Sequence, residues 1–135
     1  GLARSANHDA VSELLKLSAL PLDVKRRTAV FIGQSETRYW TILKRPGACS
    51  FSSFLVPAVT GMAMIDGMPK ADCTLSPYYG LSLYQKRTGP QAEADVTPQA
   101  LCKRALSEGF DRVIEVHFGA SGPAAEQSIE CGSAS

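Results

Sequence analysis

The chain lacks most of the features that assign a function at sight. It holds no run near the roughly 18 consecutive apolar residues that a membrane span requires. Charge of either sign is scarce and balanced: 14 Lys+Arg against 13 Asp+Glu leave a net charge of +1, so no global field draws the protein to nucleic acid or anionic lipid. There are only two histidines, and the four cysteines form no CxxC pair, which disfavours a zinc site. No Gly-rich phosphate loop, no Ser-centred nucleophile elbow, no internal repeat and no low-complexity block is present. A secretory signal with a charged segment and an apolar core is missing at Gly1, so an exported form is expected to have lost its targeting segment.

What is present is the material of one globular domain over residues 1–135. A hydrophobic content of 44% with 20% charged residues argues against intrinsic disorder, and the length suffices to bury a core. Cys49, Cys73, Cys102 and Cys131 make an even count that suits two disulfides in an oxidising compartment. Four buried free thiols in a reducing one are the alternative, because free cysteine packs as a small hydrophobe. Spacing permits three pairings and does not choose among them.

Period decides the elements. Over residues 5–20, Val11, Leu14, Leu15 and Ser18 fall on one helical stripe with Ala10 and Leu17 beside it, while Asp9, Glu13 and Lys16 face away. Ser5 or Asn7 is placed to cap this helix, and Pro21 to stop it. Residues 29–32 and 39–43 carry β-branched and aromatic side chains on either side of Gly33-Gln34-Ser35-Glu36, which reads as a hairpin. Residues 51–56 fit a short helix or a strand, with Pro57 interrupting either. Residues 61–77 read as irregular, with one short strand over 63–65, and residues 80–84 alternate as a strand does. A second helix begins with Thr97 as cap and Pro98 in the first turn, buries Leu101, Cys102, Ala105 and Leu106 on one face, turns Lys103 and Arg104 outward and ends at Gly109. Residues 112–118 form the clearest strand, with Val113, Glu115 and His117 on one face and Ile114, Val116 and Phe118 on the other. A loop over 119–123, a last strand over 128–131 and a fraying tail follow. An amphipathic helix followed by period-two segments predicts an α+β fold: the N-terminal helix packs Val11, Leu14 and Leu15 on an antiparallel sheet of residues 28–32, 39–43, 81–84 and 113–118.

The side chains with catalytic potential form no convincing constellation. Cys49 before a possible helix start, with His117 as base, is the one arrangement that follows the logic of a Cys-His hydrolase, and a disulfide to Cys49 would silence it. Glu115 and His117, two apart on a strand face, make two metal ligands and not three. Lys25-Arg26-Arg27 is too short a basic run for nucleic acid without interleaved aromatics and reads as a solvated loop that can meet an acidic surface. Tyr39, Trp40, Tyr78 and Tyr79 suit a carbohydrate or protein contact if exposed, with core packing the default for Trp40. No catalytic residue, metal or cofactor is assigned.

The C-terminal third is similar to a known family. Val96-Thr97-Pro98-Gln99-Ala100-Leu101-Cys102, a helix of some ten residues, a strand ending in Gly119 and a closing Cys131 resemble the disulfide-bounded D-region of type IVb pilins and minor pilins. This resemblance implies a head in three parts, with residues 1–20 as the remainder of a long N-terminal helix, 21–95 as loop and sheet, and 96–135 as the D-region. It implies a disulfide between Cys102 and Cys131, which leaves Cys49 with Cys73; that second pair is not a general family feature and points to a divergent or minor subunit. The family's membrane and filament-core helix is expected ahead of residue 1. Also implied are a non-catalytic role in an extracellular filament, other pilin subunits as partners, and a host receptor or a neighbouring cell's pilus as a further contact. The fragment itself would then be monomeric or weakly associated. Gly119, Ala120, Ser121, Gly122, Pro123, Glu126 and Gln127 become the expected interaction surface. A disulfide-stabilised secreted or periplasmic binding, inhibitor or immunity protein is the alternative from another class.

Overall fold

The structure, a computed structural model, describes residues 2–33, 35–40, 52–65, 96–119 and 124–132. Its centre is β1 (Thr28–Phe31), all four residues of which are buried. A strand covered on both faces needs a continuous apolar run and not an alternating one, and 29–32 is such a run. β1 is flanked by parallel strands on both sides. β2 (Ala63–Met64) pairs Ala29 with Ala63 and Val30 with Met64, and β3 (Arg112–His117) runs in register from Thr28 opposite Arg112 to Phe31 opposite Glu115. β4 (Ala125–Glu130) then pairs antiparallel to β3, giving the order β2-β1-β3-β4.

The antiparallel sheet expected from the sequence is therefore corrected to a mixed one in which two of three pairings are parallel. The reason lies in residues 37–40. They form a helical turn, α3 (Thr37–Trp40), where a strand was expected. The backbone N–H groups of Tyr39 and Trp40 donate to the Glu36 carbonyl, and the Trp40 indole donates to the Gly33 carbonyl at 2.7 Å. Tyr39 is fully buried and stacks on Phe118 with ring centroids 5.2 Å apart, so tertiary aromatic packing overrides the strand propensity of Tyr-Trp. With no hairpin after β1, the chain crosses over through α3 and α4 (Ser52–Thr60) and returns parallel. α4 resolves the ambiguous stretch as helix in spite of Pro57; the Thr60 hydroxyl donates to the Val56 carbonyl and accepts the Met62 N–H at its end. The expected strand segments at 41–43 and 81–84 lie outside the described residues.

Helices cover both faces of the sheet. On one face Ala10, Leu14 and Leu17 of α1 (Leu2–Ser18), with Val56 and Tyr39, close over Val30, Ile32, Met64, Ile114, Val116 and Phe118. On the other, Leu101 and Ala105 of α5 (Pro98–Ser107) pack with Ala29, Phe31, Ile65, Phe110 and Val113. α5 and β3 follow the sequence reading closely. Thr97 caps α5 by accepting the Ala100 N–H at 3.1 Å, and Gly109 holds the left-handed φ of 91° that ends the turn.

α1 differs from expectation in its ends and its phase. It begins at Leu2, so Ser5 and Asn7 lie inside the helix and not at its start. Its buried face is Ala10, Glu13, Leu14 and Leu17, whereas Val11 and Leu15 are exposed. The sequence carries two apolar stripes one residue apart, about 100° around the helix, and the sheet takes the one that includes the small Ala10. Beyond Pro21, residues Lys25-Arg26-Arg27 belong not to a loop but to a short helix, α2 (Leu22–Arg27), which leads directly into β1.

Candidate functional site

The C-terminal unit α5-β3-β4 is closed by a disulfide between Cys102, in the second turn of α5, and Cys131, just past β4. The bond ties the helix on one face of the sheet to its edge strand. Cys131 is fixed further by its N–H, which donates to the Asp111 carbonyl at 2.9 Å, while the Asp111 N–H donates to the Arg27 carbonyl at 3.0 Å. Arg27 and Asp111 also form an ion pair at 3.4 Å. Along the edge, Arg112 Nε lies 2.7 Å from a Glu130 carboxylate oxygen, at an angle too poor for a hydrogen bond, so this contact is purely electrostatic. Ile129 packs inward, and the remaining side chains of β4 are exposed.

The expected interaction surface falls only partly on this unit. Gly119 is exposed and its carbonyl accepts from Arg38 at 3.1 Å. Glu126 and Gln127 are exposed, but they stand on β4 and not in a loop, since the strand starts at Ala125. Ala120, Ser121, Gly122 and Pro123 lie outside the described residues, as do Cys49 and Cys73 with the second disulfide expected between them, and Tyr78 and Tyr79.

Two polar clusters flank the unit. Where β1 and β3 end, His117 is held between two carboxylates: Nδ1 lies 3.0 Å from Glu36 Oε1 and Nε2 lies 2.9 Å from Glu115 Oε2. The second Glu36 oxygen accepts the Phe118 N–H at 2.9 Å. The carboxylates grip opposite nitrogens of one ring and so do not converge on a common point; among the described residues no group of three potential ligands could hold a metal. A doubly protonated ring donates to both. The arrangement is a strut that ties the start of α3 to the end of β3. Sequence reasoning put His117 beside Glu115 on the polar face of β3 but missed Glu36, 81 residues away, for which linear spacing carries no signal.

The second cluster lies against α1. Glu13, expected to face solvent, is only 3% exposed. Lys16 Nζ reaches its Oε2 at 3.2 Å. Desolvation by burial and then the Glu13 carboxyl push the Glu126 carboxyl, on β4, up to about 7, and Lys16 opposes the shift.

The exposed large hydrophobics among the described residues are Val11, Leu15 and Leu22, all on α1 or at the start of α2. No helix among the described residues is long and apolar enough to cross a membrane. The chain matches no protein-family model, no curated protein and no solved structure.

Proposed function

We propose that the chain is the head of a type IVb-like pilus subunit, non-catalytic, which assembles with other subunits into an extracellular filament and presents its C-terminal unit for adhesion or aggregation. The observation that carries this reading is the Cys102–Cys131 bond, which closes a helix, a strand and an edge strand into the kind of unit the D-region resemblance calls for. Two further features support it. α1 lies across the sheet face opposite α5, and the exposed apolar side chains Val11, Leu15 and Leu22 sit along the helical segment that a filament would turn towards its neighbours. Disulfides persist in oxidising compartments, which agrees with a surface location. The mixed sheet departs from the antiparallel one that the period-two segments predicted, so the weight rests on the C-terminal unit and on α1. In this reading Glu126 and Gln127 on β4, and Gly119 past the end of β3, are exposed and available to a neighbouring subunit, a host receptor or another cell's pilus.

The experiment is genetic. Deleting the gene, or replacing Cys102 with Ser, in the native organism should remove surface filaments seen by electron microscopy together with cell aggregation or attachment. Unchanged filaments and adhesion, with the purified protein binding a hydrolase tightly, would move the protein to the inhibitor class.

A further inference from the structure

The two edges of the sheet differ. At one, β2 is only two residues long, which leaves little backbone for a further strand to pair with. At the other, β4 is six residues long and keeps six consecutive pairs with β3, and five of its residues are exposed. Short length, bulges, proline and charge, lysine above all, are the devices that keep an edge from pairing with another chain. Of these β4 has only the charges of Glu126 and Glu130.

The ladder fixes which backbone groups point outward. The Cys131 N–H donates to the Asp111 carbonyl, one step beyond the pair of Arg112 with Glu130. Antiparallel pairs alternate between bonded and non-bonded, so Val113 with Ile129, Glu115 with Gln127 and His117 with Ala125 are the bonded ones. The N–H and C=O groups of Glu126, Ser128 and Glu130 therefore face away from β3, and among the described residues none of them has a partner. The ladder with β3, and the bond from Cys131 to Cys102 at its end, hold this row of donors and acceptors in place before anything binds.

We propose that the open edge of β4 takes up an extended segment of a partner protein with Lys or Arg at alternate positions, which adds a strand to the sheet. Charge selects the occupant. Glu126, Ser128 and Glu130 set their side chains on one face of the strand, where Glu130 lies 2.7 Å from Arg112. Basic side chains at alternate positions of the incoming strand fall opposite or diagonal to these two carboxylates. A second copy of this chain suits the edge poorly, because a twofold pairing of two β4 strands gathers the glutamates of both on one face, where like charges repel. The inference does not rest on the pilus reading, since it uses only the edge and its charge.

The test uses the nitrogen-15-labelled protein at pH 8, where Glu126, pushed up to about 7, is largely ionised. The probe is a synthetic peptide of alternating threonine and valine with two of its threonines, four positions apart, replaced by lysine. Its addition should shift the β4 resonances and slow amide exchange at Glu126, Ser128 and Glu130, whereas Ala125, Gln127 and Ile129, already bonded to β3, should change little. Glu126→Lys should weaken binding about threefold or more, as should glutamate in place of the peptide's lysines. Ser128→Pro deletes the central outward N–H at a position where an edge strand tolerates proline, and should abolish binding with the circular dichroism unchanged. Exchange at the outward amides that does not slow, or equal binding of the lysine and glutamate peptides, would overturn the proposal. So would a protein that sediments as a dimer with those amides already protected, which would give the edge to a second copy.

Discussion

Leu14 and Leu15 are adjacent leucines with opposite fates, and they make the sharpest test of the fold at the residue scale. Leu14 is completely buried against the sheet and Leu15 is 55% exposed. Leu14→Ala is expected to cost about 2–5 kcal/mol, as core truncations do, and Leu15→Ala less than about 0.5 kcal/mol, both read from urea unfolding. The reverse order would mean that α1 sits one residue out of phase. The sequence pattern placed both on the buried stripe, and it did so for a physical reason: Ala10, Leu14 and Leu17 lie on one stripe and Val11 and Leu15 on the next, both offer apolar side chains, and only the fit of Ala10 and Leu17 to the sheet separates them. Glu13 was misplaced with them, since its burial follows from the phase. At the other end of the sheet, Glu36→Ala removes one carboxylate from His117 and leaves the Phe118 N–H without its acceptor in a part-buried site. A loss of about 1–3 kcal/mol is expected. An unchanged unfolding midpoint would show that the strut carries no load.

At the scale of elements, local signals were legible wherever the backbone's own chemistry decides. α5 was readable from Thr97, Pro98 and Gly109 because a cap, a pre-set φ and a left-handed terminator act within a few residues. Thr97→Ala should accordingly cost about 1 kcal/mol of stability, without altering the fold as followed by circular dichroism. β3 was readable from its alternation, and the faces taken by Val113 and by Ile114, Val116 and Phe118 are those the period implies. α3 was not readable, because Tyr39 and Trp40 favour strands locally and are turned helical by contacts with Phe118 and the Gly33 carbonyl. The parallel pairing of β1 was hidden for a related reason. A short apolar run such as 29–32 suits either kind of sheet, and only the helices that cover both its faces decide between them.

At the scale of the whole molecule, the disulfide ties the helix that covers one face of the sheet to the end of its edge strand, so its effect is global. Closing the loop between Cys102 and Cys131 removes denatured-state entropy worth about 3–4 kcal/mol on the chain-entropy model. Replacing both cysteines with serine should lower stability by an amount of that order, and the loss should appear in the unfolding of the entire domain rather than in β4 alone. In the proposed filament, where a subunit would meet shear and proteases, such a staple has an evident use. The C-terminal unit was only partly legible: the link between Cys102 and Cys131 followed from the family resemblance, whereas the contact of Glu36 with His117 exists only once residues far apart in the chain are brought together.

The central claim is that this domain is built into a surface filament. Immunogold electron microscopy, with antibodies raised against the purified domain and applied to intact cells of the native organism and to sheared filaments, tests it most directly. The account predicts gold along the length of the filaments, and none on cells lacking the gene. Label confined to the cell interior or the periplasm, with filaments bare, would contradict it.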